Sequence, residues 1–145
     1  MPLAVKPVDG GSAIGVTIVK KASGMKAAIR LALKNSRACL IEKFVEGVEV
    51  TVPVLGEEAL SLIEIVPKSA FYDYKAKYAK GGSDHILPAR VSARTASQVK
   101  AFAVKAHKAL GCRAFSRSDF IIDKKGRPYF LEINSVPAMT ETSLF

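Results

Sequence analysis

The chain has 145 residues, of which 49% are hydrophobic and 24% are charged, a balance that predicts a packed core and argues against disorder. The apolar runs are shorter than the roughly 20 residues that a membrane-spanning helix needs. The first residues also lack the pattern of a secretory signal peptide. We therefore expect a cytoplasmic protein without a membrane segment.

The charge balance is basic, with 22 Lys and Arg against 13 Asp and Glu and a net charge of +9. Such a surplus fits nucleic acid, a membrane surface or a phosphorylated small molecule. The lysines are scattered, which is equally typical of a solvated surface, so the charge alone identifies no partner. Two cysteines, Cys39 and Cys112, are too few for a disulfide framework and are interpreted as small core residues.

The first third of the chain predicts a hairpin followed by a helix. Strands are expected from Leu3 to Pro7 and from Val16 to Lys20, joined by a glycine-rich turn. Ser23 is the expected cap of a helix that runs to about Lys34. The predicted buried face of this helix consists of Met25, Ala28, Ile29, Ala32 and Leu33.

The middle of the chain contains three more strand candidates, which are Ala38 to Phe44, Glu49 to Leu55 and Leu60 to Ile65. The segment from Pro67 to Leu87 has no hydrophobic period and is rich in Tyr, Lys, Gly and Ser. An aperiodic polar segment of this length inside a compact domain is usually functional or mobile.

The last third predicts a second helix and two strands. Thr95 and Gln98 form a capping box, and Gly111 ends the helix. Its predicted buried face consists of Val99, Phe102, Ala103, Ala106 and Leu110. Strands follow from Arg113 to Asp123 and from Pro128 to Asn134. The resulting expectation is one α+β domain over residues 1–145, mostly antiparallel, with a further helix beyond the apolar end of the sequence.

The two final strands place polar residues on one face. If Asp123 pairs with Pro128 across the loop 124–127, Asp119 lies opposite Glu132, and Arg117 lies opposite Asn134. The opposite, buried face then holds Phe120, Ile122, Tyr129, Leu131 and Ile133. Two carboxylate residues that face each other, with Cβ atoms about 5 Å apart, repel each other. A divalent cation removes that penalty, and Asp, Glu and Asn oxygens suit Mg²⁺. A solvated polar face is the alternative, and a one-residue slip would break the pattern.

Three further motifs each have two interpretations. The loop 10–15 offers backbone N–H groups to a phosphate, with Lys6 beside it, but also fits a structural turn. Acidic residues from Glu42 to Glu49 can accept hydrogen bonds from adenine or ribose, or be solvated. The tyrosines and lysines between Phe71 and Gly82 suit a lid over a reactive site, or a surface that stacks on single-stranded nucleic acid.

Together these motifs resemble the D-alanine–D-alanine ligases of the ATP-grasp superfamily. The matching segments are, in order, VKPVDGGSAIG, LIEKFVEGVEVTV, FYDYKAKY, SRSDF, FLEIN and PAMTETSL. The resemblance implies an ATP-grasp-like fold truncated at both ends, namely the C-terminal ATP-binding portion, without the N-terminal domain and most of the central domain. It implies a homodimer in the full-length family, and it makes nucleic acid the weaker alternative.

The resemblance also implies a reaction and a set of site residues. ATP phosphorylates the carboxylate of one D-alanine, and the amine of a second D-alanine attacks the acylphosphate to give a dipeptide for peptidoglycan. Mg²⁺ or Mn²⁺ assists. The implied metal ligands are Asp119, Glu132 and Asn134. The residues implied to contact the phosphates, the adenine and the ribose of ATP are Lys6, Lys77, Glu42, Lys43, Val45 and Glu49. Arg117 is implied to stabilise an oxyanion, and Ser12 is implied to lie near the γ-phosphate. Tyr78 is implied to belong to the lid. Ser143 and Leu144 are implied to hold the carboxylate of the second substrate.

The sequence departs from the family pattern at three positions. The family usually has a second serine at the position of Ala13, a glutamate at that of Lys75 and a glycine at that of Ala138. The second amino acid is expected to be D-alanine or D-serine, because Tyr78 argues against the ligases that use D-lactate.

Overall fold

A computed structural model of the chain describes residues 2–68, 82–137 and 144. Over these residues the chain forms nine β-strands, two α-helices and a short 3-10 helix, with the strands arranged in two sheets. Every strand pair whose register is described is antiparallel. The α+β expectation is therefore confirmed. The chain divides into two compact units, Met1–Phe44 with Pro67–Ser83, and Val45–Val66 with Asp84–Phe145. The expected single domain over 1–145 stays a prediction.

The first unit is a three-stranded sheet covered by a helix on one face. Its described elements are β1 (Leu3–Pro7), β2 (Thr17–Val19), a 3-10 helix (Ala22–Gly24), α1 (Met25–Leu33) and β3 (Cys39–Lys43), and the strand order is β2-β1-β3. The core between α1 and the sheet contains Val5, Val19, Ala28 and Ala32, with Met25, Ile29 and Cys39 partly buried against it. Small alanines on the inner face of α1 let the helix approach the sheet closely.

Two expectations about α1 are wrong. Ser23 lies inside the 3-10 helix, and the residue that precedes α1 is Gly24, which provides no side-chain cap. Leu33 is 47% exposed. At 3.6 residues per turn, Leu33 lies roughly a third of a turn around the helix from the line through Ala28 and Ala32, so it points away from the sheet.

The second sheet carries the core of the second unit. Its strands are β4 (Gly47–Leu55), β5 (Glu58–Ala59), β6 (Ile63–Pro67), β7 (Ser83–Ile86), β8 (Phe115–Asp123) and β9 (Pro128–Asn134). Their order is β7-β6-β4-β8-β9, with β5 beside β4. The helix α2 (Ala93–Ala109) packs on one face. The core between them comprises Val50, Val52, Val54, Leu62, Val99, Ala103, Phe120 and Ile122.

The strands β5 and β7 were not predicted, and β6 begins three residues later than expected, at Ile63. β5 is too short to show a period, and it returns after a turn at Gly56, whose φ of +60° is typical of glycine. β7 lies at the end of the segment that appeared aperiodic.

The predicted start of α2 is wrong by one helical turn. The cap is Ser92, whose hydroxyl accepts a hydrogen bond from the Thr95 N–H, while Thr95 itself is buried. Phe102 and Leu110 are 41% and 64% exposed instead of buried. His107 lies on the core side of the helix, where its Nδ1 is 2.7 Å from Ser116 Oγ.

The predicted end of α2 at Gly111 is confirmed, and this residue has a φ of +66°. Cys39 and Cys112 are free, half-buried thiols, and Cys39 packs against the core of the first unit. None of the helices within the described part of the chain is both long and apolar enough to cross a membrane.

Candidate functional site

The hairpin of β8 and β9 brings the predicted polar residues together. Asp119 lies opposite Glu132, and Arg117 lies opposite Asn134, as the sequence predicts. A β-bulge follows at Asp119 and Phe120, so that Phe120 lies opposite Phe130, and Leu131 has no residue opposite it. The register is therefore confirmed at the polar end of the hairpin and wrong at the turn, where Ile122 and not Asp123 lies opposite Pro128.

Hydrogen bonds of Asp123 stabilise the turn in the observed register, in which Pro128 lies opposite Ile122. The Asp123 N–H donates to the Arg127 carbonyl at 3.0 Å, and its side chain accepts from the N–H groups of Lys125 and Arg127 at 2.9 Å each. The pKa of Asp123 is lowered below its ordinary value, first by the hydrogen bond from the backbone N–H of Arg127. The Arg127 guanidinium and the N–H of Lys125 lower it further.

The bulge also changes which aromatic residue of β9 lies on the side of Phe120, although Phe130 itself is 47% exposed. Because one extra residue reverses the alternation, Phe130 lies on the same side as Phe120, and their rings meet edge to face at 5.5 Å. Tyr129 was expected on the buried face. It lies opposite Ile121, and the Arg127 guanidinium is 6.0 Å from the centre of its ring.

Asp119 is the centre of a hydrogen-bond network. Arg117 donates to both of its carboxylate oxygens, from Nε to Oδ1 and from Nη2 to Oδ2, each at 3.1 Å. Thr51 on β4 donates to Oδ1 at 2.5 Å, and Asn134 donates to Oδ2 at 3.4 Å. The side chains of Asp119 and Arg117 are only 8% and 17% exposed, so the network is largely shielded from water.

Thr51 was not predicted as a site residue. This residue is fully buried and lies opposite Asp119 on β4. A signal was present, because Glu49 and Thr51 are the only polar residues of the strand and occupy alternate positions, and therefore share a face. The pairing of β4 with β8 was required to show that this face meets Asp119.

The donor set of the predicted metal site fits Mg²⁺. Glu132 is exposed and lies opposite Asp119, and Asn134 is on the same face. The four acceptor positions of Asp119 are filled by Thr51, Arg117 and Asn134, and the bond from Asn134 is the longest. Rotation of the Asn134 amide would replace this N–H donor with an oxygen that can bind a cation. Over the described ranges no three His, Cys, Asp or Glu side chains cluster in a way that could hold a metal, and the predicted set contains two carboxylates and the Asn134 amide.

A second group of predicted residues meets in the first unit. The Lys6 ammonium is 2.6 Å from the Glu42 carboxylate, and both side chains remain partly exposed, at 24% and 48%. They lie on the face of the sheet opposite α1, because β1 and β3 pair Ala4 with Glu42. The loop 10–15 follows β1, and Ser12 and Ala13 both have left-handed backbone, with φ values of 56° and 58°.

The remaining predicted site residues are spread along the chain. Lys43 is exposed at the end of β3. Val45, in the connection that follows β3 in the sequence, is half-buried, and so is Leu144. Glu49 is half-buried on β4, opposite Ile121 on one side and Ile65 on the other. Lys77, Tyr78 and Ser143 lie outside the described residues, as do Lys75 and Ala138. The roles of all these residues stay predictions.

Comparison with known proteins identifies the family. The family model described as "D-ala D-ala ligase C-terminus" matches residues 1–145. The chain belongs to this family. A D-alanine–D-alanine ligase from Pelotomaculum thermopropionicum is 48% identical over 148 residues, which cover 100% of this chain and 46% of that ligase.

Two solved ligase structures have the same fold. The VanG D-Ala:D-Ser ligase from Enterococcus faecalis superposes with a TM-score of 0.84 at 37% identity, over 99% of this chain and 43% of that one. A D-alanine–D-alanine ligase from Bacillus anthracis, complexed with ATP, gives 0.81 at 26% identity, over 99% and 44%. The ATP-grasp fold is thereby confirmed. The chain spans about half the length of the relatives that it matches.

Proposed function

We propose that this chain provides the ATP- and Mg²⁺-binding part of a ligase that joins two D-alanines through an acylphosphate, for peptidoglycan synthesis. The observation that carries the proposal is the constellation of Arg117, Asp119, Glu132 and Asn134 on one face of the β8–β9 hairpin. The membership of the chain in the ligase family and the ATP complex of the Bacillus anthracis relative support it.

The nucleotide-binding role is assigned first to Lys6 and Glu42. Their ion pair lies on an open face of the first sheet, with both side chains accessible. An incoming triphosphate can take the Lys6 ammonium as a counter-charge, which leaves the Glu42 carboxylate to accept from a sugar hydroxyl or base amino group. Ser12 in the loop 10–15, with Lys77 from outside the described residues, completes the proposed phosphate contacts.

The metal-binding role is assigned to Asp119, Glu132 and Asn134. Phosphoryl transfer depends on positioning and charge neutralisation, and a bound Mg²⁺ supplies the latter at the phosphate oxygens. Thr51 holds Oδ1 of Asp119 at 2.5 Å, which fixes the orientation of this carboxylate.

Arg117 is proposed to act on the acyl group. Its guanidinium is held in a fixed plane by two hydrogen bonds to Asp119, and this plane sets the direction in which it would donate to the acyl oxygen of the substrate. As the amine of the second D-alanine attacks the acylphosphate, negative charge develops on that oxygen. A well-placed donor stabilises such a transition state by about 3 kcal/mol. The bond to phosphate then breaks, and the amine loses its proton.

The first test measures nucleotide binding by the purified chain. A non-hydrolysable ATP analogue is titrated calorimetrically with and without Mg²⁺, for the natural sequence and for Glu132→Gln. Glu58→Gln is the matched control, because Glu58 is an exposed carboxylate on β5, outside the proposed site. We expect Mg²⁺-dependent binding that is lost in Glu132→Gln and retained in Glu58→Gln.

Two results would contradict the proposal. Absence of nucleotide binding in a chain shown to be folded would remove the nucleotide site. Binding of oligonucleotides that needs no Mg²⁺ and weakens steeply with salt would favour a nucleic-acid-binding module instead.

A second test addresses ligation and the second substrate. The chain is joined to the amino-terminal half of the Pelotomaculum thermopropionicum relative, and ADP release is measured with D-alanine alone and with D-alanine plus D-serine. We expect release that depends on D-alanine, and the dipeptide formed identifies the second substrate. The homodimer expected for the full-length family is measured on the same fusion by light scattering.

A further inference from the structure

The loop 10–15 in the first unit has an unfavourable backbone conformation. Ser12 and Ala13 are left-handed, with φ values of 56° and 58°, and Gly10 and Gly15 also have positive φ. Side chains disfavour this region, so such a loop persists only when contacts outside it fix its ends. Its two internal backbone bonds, Ile14 N–H to Gly11 at 3.2 Å and Val16 N–H to Ala13 at 3.3 Å, do not join it to the rest of the unit.

The first end of the loop is attached to the turn 35–38, which follows α1. Ser36 Oγ donates to Asp9 Oδ2 at 2.9 Å, and the Ala38 N–H donates to Ser36 Oγ at 3.3 Å. Beside them, the Val8 N–H donates to the Ala38 carbonyl at 3.1 Å. The Ser36 hydroxyl therefore links the turn to the residue that directly precedes the loop.

The second end of the loop lies against the same turn. A Cβ atom at Gly15 would be 2.9 Å from Pro7 Cγ and 3.0 Å from Asn35 Nδ2, which is too close for any side chain. Asn35 is itself held, because its Nδ2 donates to the Leu31 carbonyl in the last turn of α1 at 3.0 Å. The glycine at position 15 thus allows the loop to close onto Asn35.

We propose that the turn 35–38, through Ser36 and Asn35, positions the loop 10–15 to bind the terminal phosphate of a nucleoside triphosphate. The inference rests on the function proposed above. A loop that is held in its binding conformation has a higher apparent affinity than a loop that fluctuates. The reason is that the apparent affinity is reduced in proportion to the fraction of molecules in the binding conformation. Ser36 and Asn35 are positioning residues, since they act through the loop.

The experiment removes the Ser36 hydroxyl and measures two properties of the complete chain. Ser36→Ala is compared with Ser36→Thr, which keeps a hydroxyl, and with Ser23→Ala, a control on an exposed serine of the same unit. Hydrogen exchange of the amides in residues 9–16 reports the order of the loop without any nucleotide. Calorimetry with the ATP analogue and with ADP, both with Mg²⁺, reports the contact with the terminal phosphate.

We expect faster exchange in residues 9–16 of Ser36→Ala, and about fivefold weaker binding of the ATP analogue, the effect of one lost hydrogen bond. ADP affinity should change less, because ADP lacks the terminal phosphate. The threonine variant and the Ser23 control should resemble the natural sequence. Unchanged exchange, or equal loss for ADP and the ATP analogue, would overturn the proposal. If the natural chain binds no nucleotide, the proposed function fails, and exchange alone still decides whether Ser36 holds the loop.

Discussion

Thr51 and Asp119 lie directly opposite each other on β4 and β8, and the Thr51 hydroxyl donates to Asp119 Oδ1 at 2.5 Å. Thr51 is fully buried and the Asp119 side chain is 8% exposed, so water cannot replace this donor. Thr51→Val keeps the shape and removes the hydrogen bond. We expect a loss of about 1–3 kcal/mol in the free energy of unfolding, measured by urea denaturation.

The matched control for this substitution is Thr17→Val on β2, a half-buried threonine opposite Val5. We expect it to change stability little, and Thr51→Ser to restore most of the loss because it retains a hydroxyl. If Thr51→Val were as stable as the natural sequence, the hydrogen bond to Asp119 would contribute nothing to the free energy of unfolding. The proposed role of Thr51 in orienting this metal ligand would then be contradicted.

The β8–β9 hairpin indicates what the sequence could predict. Alternation placed Arg117, Asp119, Glu132 and Asn134 on one face, because side chains repeat every second residue whatever the tertiary context. The bulge after Asp119 could not be read from alternation, since alternation alone does not indicate where an extra residue interrupts the pairing of two strands. A change of register at one position reverses the faces beyond it, which explains the wrong expectation for Tyr129.

Helix boundaries and long-range partners were predicted less well. Ser92 and Thr95 can each cap a helix, and only the observed bond from the Thr95 N–H to Ser92 decides between them. Thr51 and Asp119 are 68 residues apart, so no local pattern joins them. Residues that contact each other across a sheet therefore require the fold, while residues within one hairpin do not.

Glu64 on β6 is held by Arg90. Arg90 Nη2 and Nε donate to the carboxylate at 2.6 Å and 3.0 Å, and the Arg90 N–H donates at 3.0 Å. The side-chain hydrogen bonds of Arg90 lower the pKa of Glu64 below its ordinary value of about 4.5, against the opposing effect of burial. A lowered pKa means that the pair stabilises the fold above pH 4.5 and loses this contribution as the pH falls through the folded-state pKa.

The corresponding variant is Arg90→Gln, which keeps the backbone donor. We expect its melting temperature to lie a few degrees below that of the natural sequence at pH 7, with a smaller difference at pH 3. Arg94→Gln, at an exposed position of α2, is the control and should show no pH-dependent difference. A gap of equal size at both pH values would mean that Arg90 acts by packing and not by its charge.

Two serines on the core side of β8 should respond oppositely to the same substitution. Ser118 is fully buried, and its hydroxyl has no hydrogen-bond partner within the described part of the chain. Ser116 is equally buried and is 2.7 Å from His107 Nδ1. A buried hydroxyl without a partner is costly, whereas removing a bonded one leaves its partner unsatisfied.

We therefore expect Ser118→Ala to raise the free energy of unfolding by about 1 kcal/mol, and Ser116→Ala to lower it by about 1–2 kcal/mol. Both values come from urea denaturation at pH 7. Each variant serves as the control for the other, because the two positions share strand, burial and chemical change. Equal effects in the same direction would show that the partner of Ser116 makes no difference.

Ala13 in the loop 10–15 has a φ of 58°, a conformation that glycine adopts without strain. Ala27 lies on the exposed side of α1, where the helical backbone favours alanine. Replacing either by glycine gives the unfolded chain the same additional freedom, so the difference between the two variants isolates the folded state. We expect Ala13→Gly to be more stable than Ala27→Gly by about 1–2 kcal/mol in urea denaturation. If Ala13→Gly proved the less stable variant, the left-handed conformation at Ala13 would not persist in solution, and the inference that the turn 35–38 holds the loop would lose its basis.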